Sequence, residues 1–254
     1  MIDTTMAENE SDADAPGNTA DIVLRRSETG RNLTQGMLES LGRAIVIGRY
    51  DTHPFPTEAD LALTYGVSRS VTREAVKMLT AKGLVSARPR QGTIVRPARD
   101  WNLIDPDVLR WLLERKFSVD LLRHFNELRV AIEPEAAALA ARYHDPADLV
   151  GIDAGLAAMR AADRGDDDVL DADIAFHVAI LLASRNPFYA QLRSVVETAL
   201  RTSILFTNRI EGRSANVDAH AAVADAIRDG NPVAAHAAMR RIIGDVLTLM
   251  PPGT

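Results

Sequence analysis

The chain has no cysteine among its 254 residues. Structural disulfides, thiolate zinc sites and cysteine nucleophiles are thereby excluded, and a reducing compartment suits the composition. No apolar run approaches the roughly 18 residues a membrane span needs, and the N-terminus lacks the basic start and apolar core of a secretory signal. These absences predict a soluble, cytoplasmic protein with no membrane contact. A Gly-rich phosphate loop, a serine-centred nucleophile motif and a short-period repeat are all missing. From Trp101 onward, β-rich runs are missing too. What is present is 46% apolar and 25% charged residues at a formal net charge of -6, enough for two domains in a chain of this length.

The densest signal lies between Phe55 and Val95. Thr57 caps a helix whose third position is Asp60, close to a capping box, and Gly66 stops it. Ser68 caps a second helix running to about Lys82, with Val71, Ala75, Met78 and Leu79 on one face. Arg69, Arg73 and Lys77 recur at i, i+4 and i+8, nearly opposite that stripe. Gly83 ends the helix, and residues 84–88 alternate like a strand. Pro89-Arg90-Gln91-Gly92 reads as a turn, and Thr93-Ile94-Val95 returns as a second strand. A helix, a turn, an arginine-bearing helix and a Gly-tipped hairpin make a winged helix-turn-helix. An arginine stripe is commonly just a solvated face. Here the stripe starts at a helix N-terminus, where base edges are met, and Arg88 and Arg90 add a second basic element. Residues 34–97 hold nine Lys/Arg and five Asp/Glu, a net of +4 within an acidic chain. That local excess suits one polyanion partner, double-stranded DNA.

Four blocks in order, Phe55-Pro56-Thr57-Glu58-Ala59-Asp60-Leu61-Ala62, Tyr65-Gly66-Val67-Ser68-Arg69, Val71-Thr72-Arg73-Glu74-Ala75-Val76 and Gln91-Gly92-Thr93-Ile94-Val95, resemble the DNA-binding domain of the GntR family of bacterial transcription regulators. The resemblance implies operator contacts from Arg69, Arg73 and the wing-tip Gly92. Ser68, Ser70, Thr72, Arg90 and Gln91 complete the candidate DNA-binding set. Some relatives carry a DNA-contacting arginine where this chain has Ala59, so that contact is absent.

The fold expected is mainly α: a winged helix-turn-helix followed by an all-α bundle. Residues 1–28 read as a disordered tail, 29–97 as the DNA-binding domain, 98–106 as a docked linker and 107–250 as an effector-binding and dimerisation domain. The first helix of the DNA module is expected over 34–48. Ser118, Asp145-Pro146 and Asn231-Pro232 look like helix starts, and helices are expected near 106–115, 119–143, 146–163, 167–184, 187–208, 214–229 and 232–250. Trp101 in the linker is the expected coupling between domains.

Asp173 and His177 lie one helical turn apart and could hold one cation. His220 shares a stripe with Val217, Ala224 and Ile227, which aims it into the bundle, where a hydrogen-bonded core histidine is the commoner outcome. Arg129 is the candidate for a small carboxylate because a guanidinium can grip both oxygens, although an i,i+4 pair with Glu133 on a helix surface explains it equally well. Arg201, Asn208 and Arg209 are weaker candidates.

Trp101-Asn102, Asp105-Pro106-Asp107-Val108-Leu109, Leu128-Arg129, Glu133-Pro134, Asp173-x-x-Phe176-His177 and Asn186-Pro187 resemble the FCD-domain subfamily of GntR regulators, in the group of the galactonate-operon repressor. That resemblance implies a homodimeric, ligand-responsive repressor of a sugar-acid operon. Effector contacts would come from Arg129, Asp173, His177 and His220, and a divalent metal, most suitably Zn²⁺, would be held by Asp173, His177 and His220. The usual last histidine is replaced by Ile242, which leaves the site incomplete, and His236 lies on another face. One alternative is a regulator of the same fold that responds to a different carboxylate, and the competing class is a metal-dependent enzyme using the same three residues. It leaves the basic winged helix unexplained.

Overall fold

A computed structural model describes residues 19–115, 119–143, 145–211 and 216–250, with side chains beyond those of 19–31, 115 and 205–211. α1 spans Thr19–Val46, α2 Glu58–Tyr65 and α3 Arg69–Ala81, followed by the strands β1 (Val85–Arg88) and β2 (Gly92–Val95). A short 3₁₀ turn at Ala98–Asp100 leads to α4 (Pro106–Arg115). The bundle continues through α5 (Val119–Tyr143), α6 (Pro146–Asp163), α7 (Val169–Ala183), α8 (Pro187–Gln191), α9 (Arg193–Glu211), α10 (Val217–Arg228) and α11 (Pro232–Thr248). The protein is thus mainly α, with one small antiparallel wing paired Val85↔Val95 through Arg88↔Gly92. No described helix is long and apolar enough to cross a membrane.

Local chemistry accounts for most boundaries. Thr57 and Asp60 form a complete capping box on α2, and Ser68 caps α3. Asp145, Asp168, Asn186, Asn216 and Asn231 each place a side-chain oxygen on the first free amides of their helices. Two expectations differ. The first helix starts at Thr19 rather than near 34, because Ala20, Leu24, Arg25, Arg26 and Glu28 are good helix formers that extend it into the segment read as tail. Residues 1–18 and the cap at Ser118 lie outside the described residues. The helix expected over 187–208 is two, α8 and α9, broken at Leu192. Neither proline nor glycine stands there, so periodicity carried no sign of the break.

Two apolar cores form. The first joins Leu38, Leu41 and Ile45 of α1 to Leu61, Ala75, Leu79, Leu84 and Val85. The second gathers Leu122, Phe125, Ile152, Leu156, Phe176, Ile180, Val196, Leu200, Val223, Ile227, Met239 and Ile243 from α5 to α11. α4 belongs to both: Val108 and Trp111 close the first core, while Leu109 and Leu113 enter the second. Trp111 is 1% exposed, and its ring lies where a Cβ on Gly42 would sit, 2.3 Å from two ring carbons. α1 and α4 meet there only because residue 42 has no side chain.

Polar contacts fix the same joint. Arg110 grips both oxygens of Glu39 at 2.9 and 2.7 Å, and the Lys82 ammonium reaches Asp105 at 2.9 Å and Asp107 at 2.8 Å. The Asn102 amide donates to the Lys82 carbonyl. Trp101, expected to couple the domains, is only half-buried and donates its indole N–H to the Arg96 carbonyl. The buried coupling indole is Trp111.

Candidate effector site and DNA interface

α3 presents two unlike faces. Thr72, Ala75, Val76 and Leu79 are buried at i, i+3, i+4 and i+7, while Arg69, Ser70, Arg73 and Lys77 face solvent. Thr72 therefore leaves the candidate DNA set: it is fully buried, and its hydroxyl donates to the Ser68 carbonyl at 3.2 Å. The packed face is rotated by one position from the Val71, Ala75, Met78 and Leu79 stripe, which brings residue 72 onto it. Arg73 lies 3.6 Å from Glu58 with its side chain 63% exposed, a loose surface pair that leaves it available. Ser68 and Ser70 hydroxyls meet at 2.8 Å beside the helix start. In the wing, Arg90 and Gly92 both have positive φ, 64° and 76°, and Arg90, Gln91 and Gly92 are exposed. Such a turn strains a residue with a side chain. Gly92 has open space around it, so backbone conformation rather than crowding calls for glycine.

The second site lies inside the bundle. α7 brings Asp173 and His177 to one face, and α10 brings His220 against them; all three are buried. One ligand atom from each lies within 4.8 Å of the others, an Asp/His/His group that could hold a metal ion. His220 Nε2 is 3.0 Å and His177 Nε2 3.4 Å from Asp173 Oδ1. Beyond this mutual ion-pair contact, Asp173 Oδ1 and His220 Nε2 have no hydrogen-bond partner. A cation placed between such buried polar atoms would satisfy both, and the donor set suits Zn²⁺. Ile242 offers no ligand atom, and His236 sits apart, 3.3 Å from Glu135.

Arg129 and Glu133 form the i,i+4 pair anticipated, but in the core rather than on a surface: both are buried, with Nε to Oε1 at 2.6 Å and Nη2 to Oε2 at 3.3 Å. Nη1 donates to Asn126 at 3.0 Å. The forked face assigned to an effector carboxylate is thus held by Glu133. Glu133 also meets His177 Nδ1 at 2.6 Å. Burial disfavours the Glu133 carboxylate, but Arg129 and His177 outweigh it and bring its pKa down to about 2. Burial likewise opposes charge on His177, and Glu133 and Asp173 overcome it, raising the imidazole to about 9. Asp173, despite burial, is held well below the usual carboxylate range by His177 and His220.

Sequence reasoning named Glu133 only as a partner for Arg129. Its contact with His177 joins two helices 44 residues apart in the chain, a distance that helical spacing alone cannot bridge. Arg201 pairs with Asp171 at 2.7 Å on the surface, and the side chains of Asn208 and Arg209 lie outside those described.

Comparison with known proteins places a family domain over each of the two regions. Residues 33–95 match the model of bacterial regulatory proteins of the gntR family, and residues 125–245 match the FCD domain. The galactonate operon transcriptional repressor of Escherichia coli is 33% identical over 217 residues, covering 84% of this chain and 94% of the relative. The HTH-type regulator YieP of the same organism is 34% identical over 217 residues, covering 84% and 93%. A solved structure of Lar, which controls expression of the Listeria monocytogenes agr system, shares the fold at a TM-score of 0.54 and 20% identity, covering 85% of this chain and 94% of that one. These relatives are regulators, which removes the enzyme reading of Asp173, His177 and His220. The chain therefore belongs to the GntR family of bacterial transcription regulators, in the branch whose DNA-binding domain is followed by an FCD domain.

Proposed function

We propose that the protein is a ligand-responsive repressor of a sugar-acid operon, released from its operator when a small carboxylate such as an aldonate or a 2-keto-3-deoxy aldonate enters the bundle. The observation that carries this reading is a polar cluster buried within the bundle core: Arg129, Asp173, His177 and His220, held together with Asn126 and Glu133, in which Asp173 Oδ1 and His220 Nε2 have no hydrogen-bond partner beyond their mutual contact. Acceptors, donors and a fixed positive charge suit a polyhydroxy acid and disfavour a fatty acyl chain. The galactonate repressor among the relatives supports the same class.

Asp173, His177 and His220 are the residues that would hold a divalent metal, Zn²⁺ above all, and the bound ion would supply positive charge for an acid oxygen. With Glu133 across its forked face, Arg129 serves the site as a charge rather than as a free two-pronged clamp. On the DNA side, Ser68, Arg69, Ser70, Arg73, Arg90, Gln91 and Gly92 form the reading surface.

For the acid to release DNA it must bind the DNA-incompetent arrangement more tightly than the competent one. α7 packs on α9, α9 on α4 and α4 on α1, which gives a continuous packed route from His177 to the reading head through Trp111. Calorimetry against aldonates, short hydroxy acids and fatty acids, with and without operator DNA, tests the reading. Tight binding of an aldonate that weakens when operator is present supports it. Binding of none, or equal binding in both conditions, refutes the effector assignment.

A further inference from the structure

Two hydrogen bonds behind the Asp/His/His group do more than fill space. His220 Nδ1 lies 2.7 Å from the Asn216 carbonyl, the residue that caps α10. A carbonyl only accepts, so Nδ1 carries the hydrogen and Nε2 points away from it toward Asp173. His177 repeats the arrangement with a different acceptor: Nδ1 faces Glu133 at 2.6 Å and Nε2 faces Asp173. Glu133 is itself fixed by Arg129, whose Nη2 also lies at a long 3.4 Å from each ring nitrogen of His177, a weaker contact than the 2.6 Å from Nδ1 to Glu133. Two rings from two helices are thus turned so that the same nitrogen of each faces one carboxylate oxygen. Phe176, fully buried, packs edge-on against both rings and blocks rotation.

We infer that Glu133 and the Asn216 carbonyl are the positioning groups of the cation site, holding Nδ1–H of His177 and His220 so that both Nε2 atoms are presented to the ion. The inference rests on the proposed reading that Asp173, His177 and His220 hold a metal. Glu133 matters more than Asn216 because it is a charged acceptor and raises the ligand strength of the opposite nitrogen. A chain lacking a fourth protein ligand at Ile242 depends the more on such outer contacts.

The test is zinc titration of the full-length protein against a chromophoric chelator, for the wild type, Glu133→Gln and Glu133→Ala. Removal of an outer partner of this kind weakens metal binding about 10- to 100-fold. Glu133→Ala is expected in that range, and Glu133→Gln, whose amide oxygen still accepts from Nδ1–H, recovers part of the loss. Because Glu133→Ala strands the buried Arg129 guanidinium and could unfold the bundle, the wild type supplies an independent readout. Nitrogen-15 NMR of the zinc-loaded protein is expected to show two imidazoles with protonated Nδ1 and metal-shifted Nε2. Ligation through Nδ1, or equal zinc affinity in wild type and Glu133→Ala, overturns the positioning role and leaves the metal reading intact. Failure of the wild type to bind zinc overturns both.

Discussion

Thr72 and Arg73 are adjacent on α3 and have opposite surroundings, one sealed in the core and one 63% exposed beside Glu58. Replacing Arg73 by alanine is expected to weaken operator binding by about 1–3 kcal/mol, the range for a side chain that holds a base edge with two hydrogen bonds. Fluorescence anisotropy with labelled operator measures this, and unchanged affinity in a folded variant would return Arg73 to a solvated role. Gly42 gives a test of a different kind. Alanine there gains about 1 kcal/mol of helix propensity, but its methyl would meet Trp111 at 2.3 Å, and overpacking of this sort costs about 1–3 kcal/mol. Three ring carbons face the added atom, so the indole cannot slip aside cheaply. A lower denaturation midpoint is expected, and an unchanged or higher one would mean that the two helices can separate freely. At this scale the sequence was legible where a residue's role is local, as with the caps Thr57, Ser68, Asp145 and Asn231. Glu133 was hidden because its decisive partner, His177, sits on another helix.

Among the elements, α4 had readable ends and an unreadable allegiance. Its limits matched the expected 106–115, yet Val108, Leu109, Trp111 and Leu113 place apolar groups around much of the helix, and periodicity cannot say which of two cores each one joins. The Arg110 bridge to Glu39 is measurable through pH. Hydrogen bonding to Arg110 outweighs partial burial and lowers the Glu39 pKa from 4.5 to about 2. The folded value lies below the unfolded one, so the stabilisation is complete above about pH 4.5 and is lost as the pH falls toward 2. That shift corresponds to at most about 3 kcal/mol, less whatever solvent screens. Urea unfolding of Glu39→Gln is expected to show lower stability at pH 7 and a shallower decline below pH 4.5 than the wild type. Parallel curves would show that the bridge contributes nothing. The α10 stripe behaved differently: His220, Ala224 and Ile227 are all buried as their spacing predicts, because one helix facing one core leaves periodicity no choice.

For the whole molecule, one reading helix spans only a few base pairs, and specific affinities of about 10⁻⁸ to 10⁻¹¹ M call for two such modules on adjacent half-sites. We expect a homodimer on a pseudo-palindromic operator; sedimentation of the protein on operator DNA measures it, and one protomer per duplex would refute it. The two-part plan was legible because the basic segment and the Ala- and Leu-rich helices differ in composition. The way the parts join was not, since Gly42 and Trp111 are separated by 69 positions and neither forms a motif. That joint limits how freely the two halves can be exchanged. A DNA-reading segment cut at residue 97, where its family match ends at 95, would leave behind Val108 and Trp111, which complete its own core. Moved onto another sensor without α4, the reading head would travel with an open seam, so the portable unit of this regulator is longer than its motif.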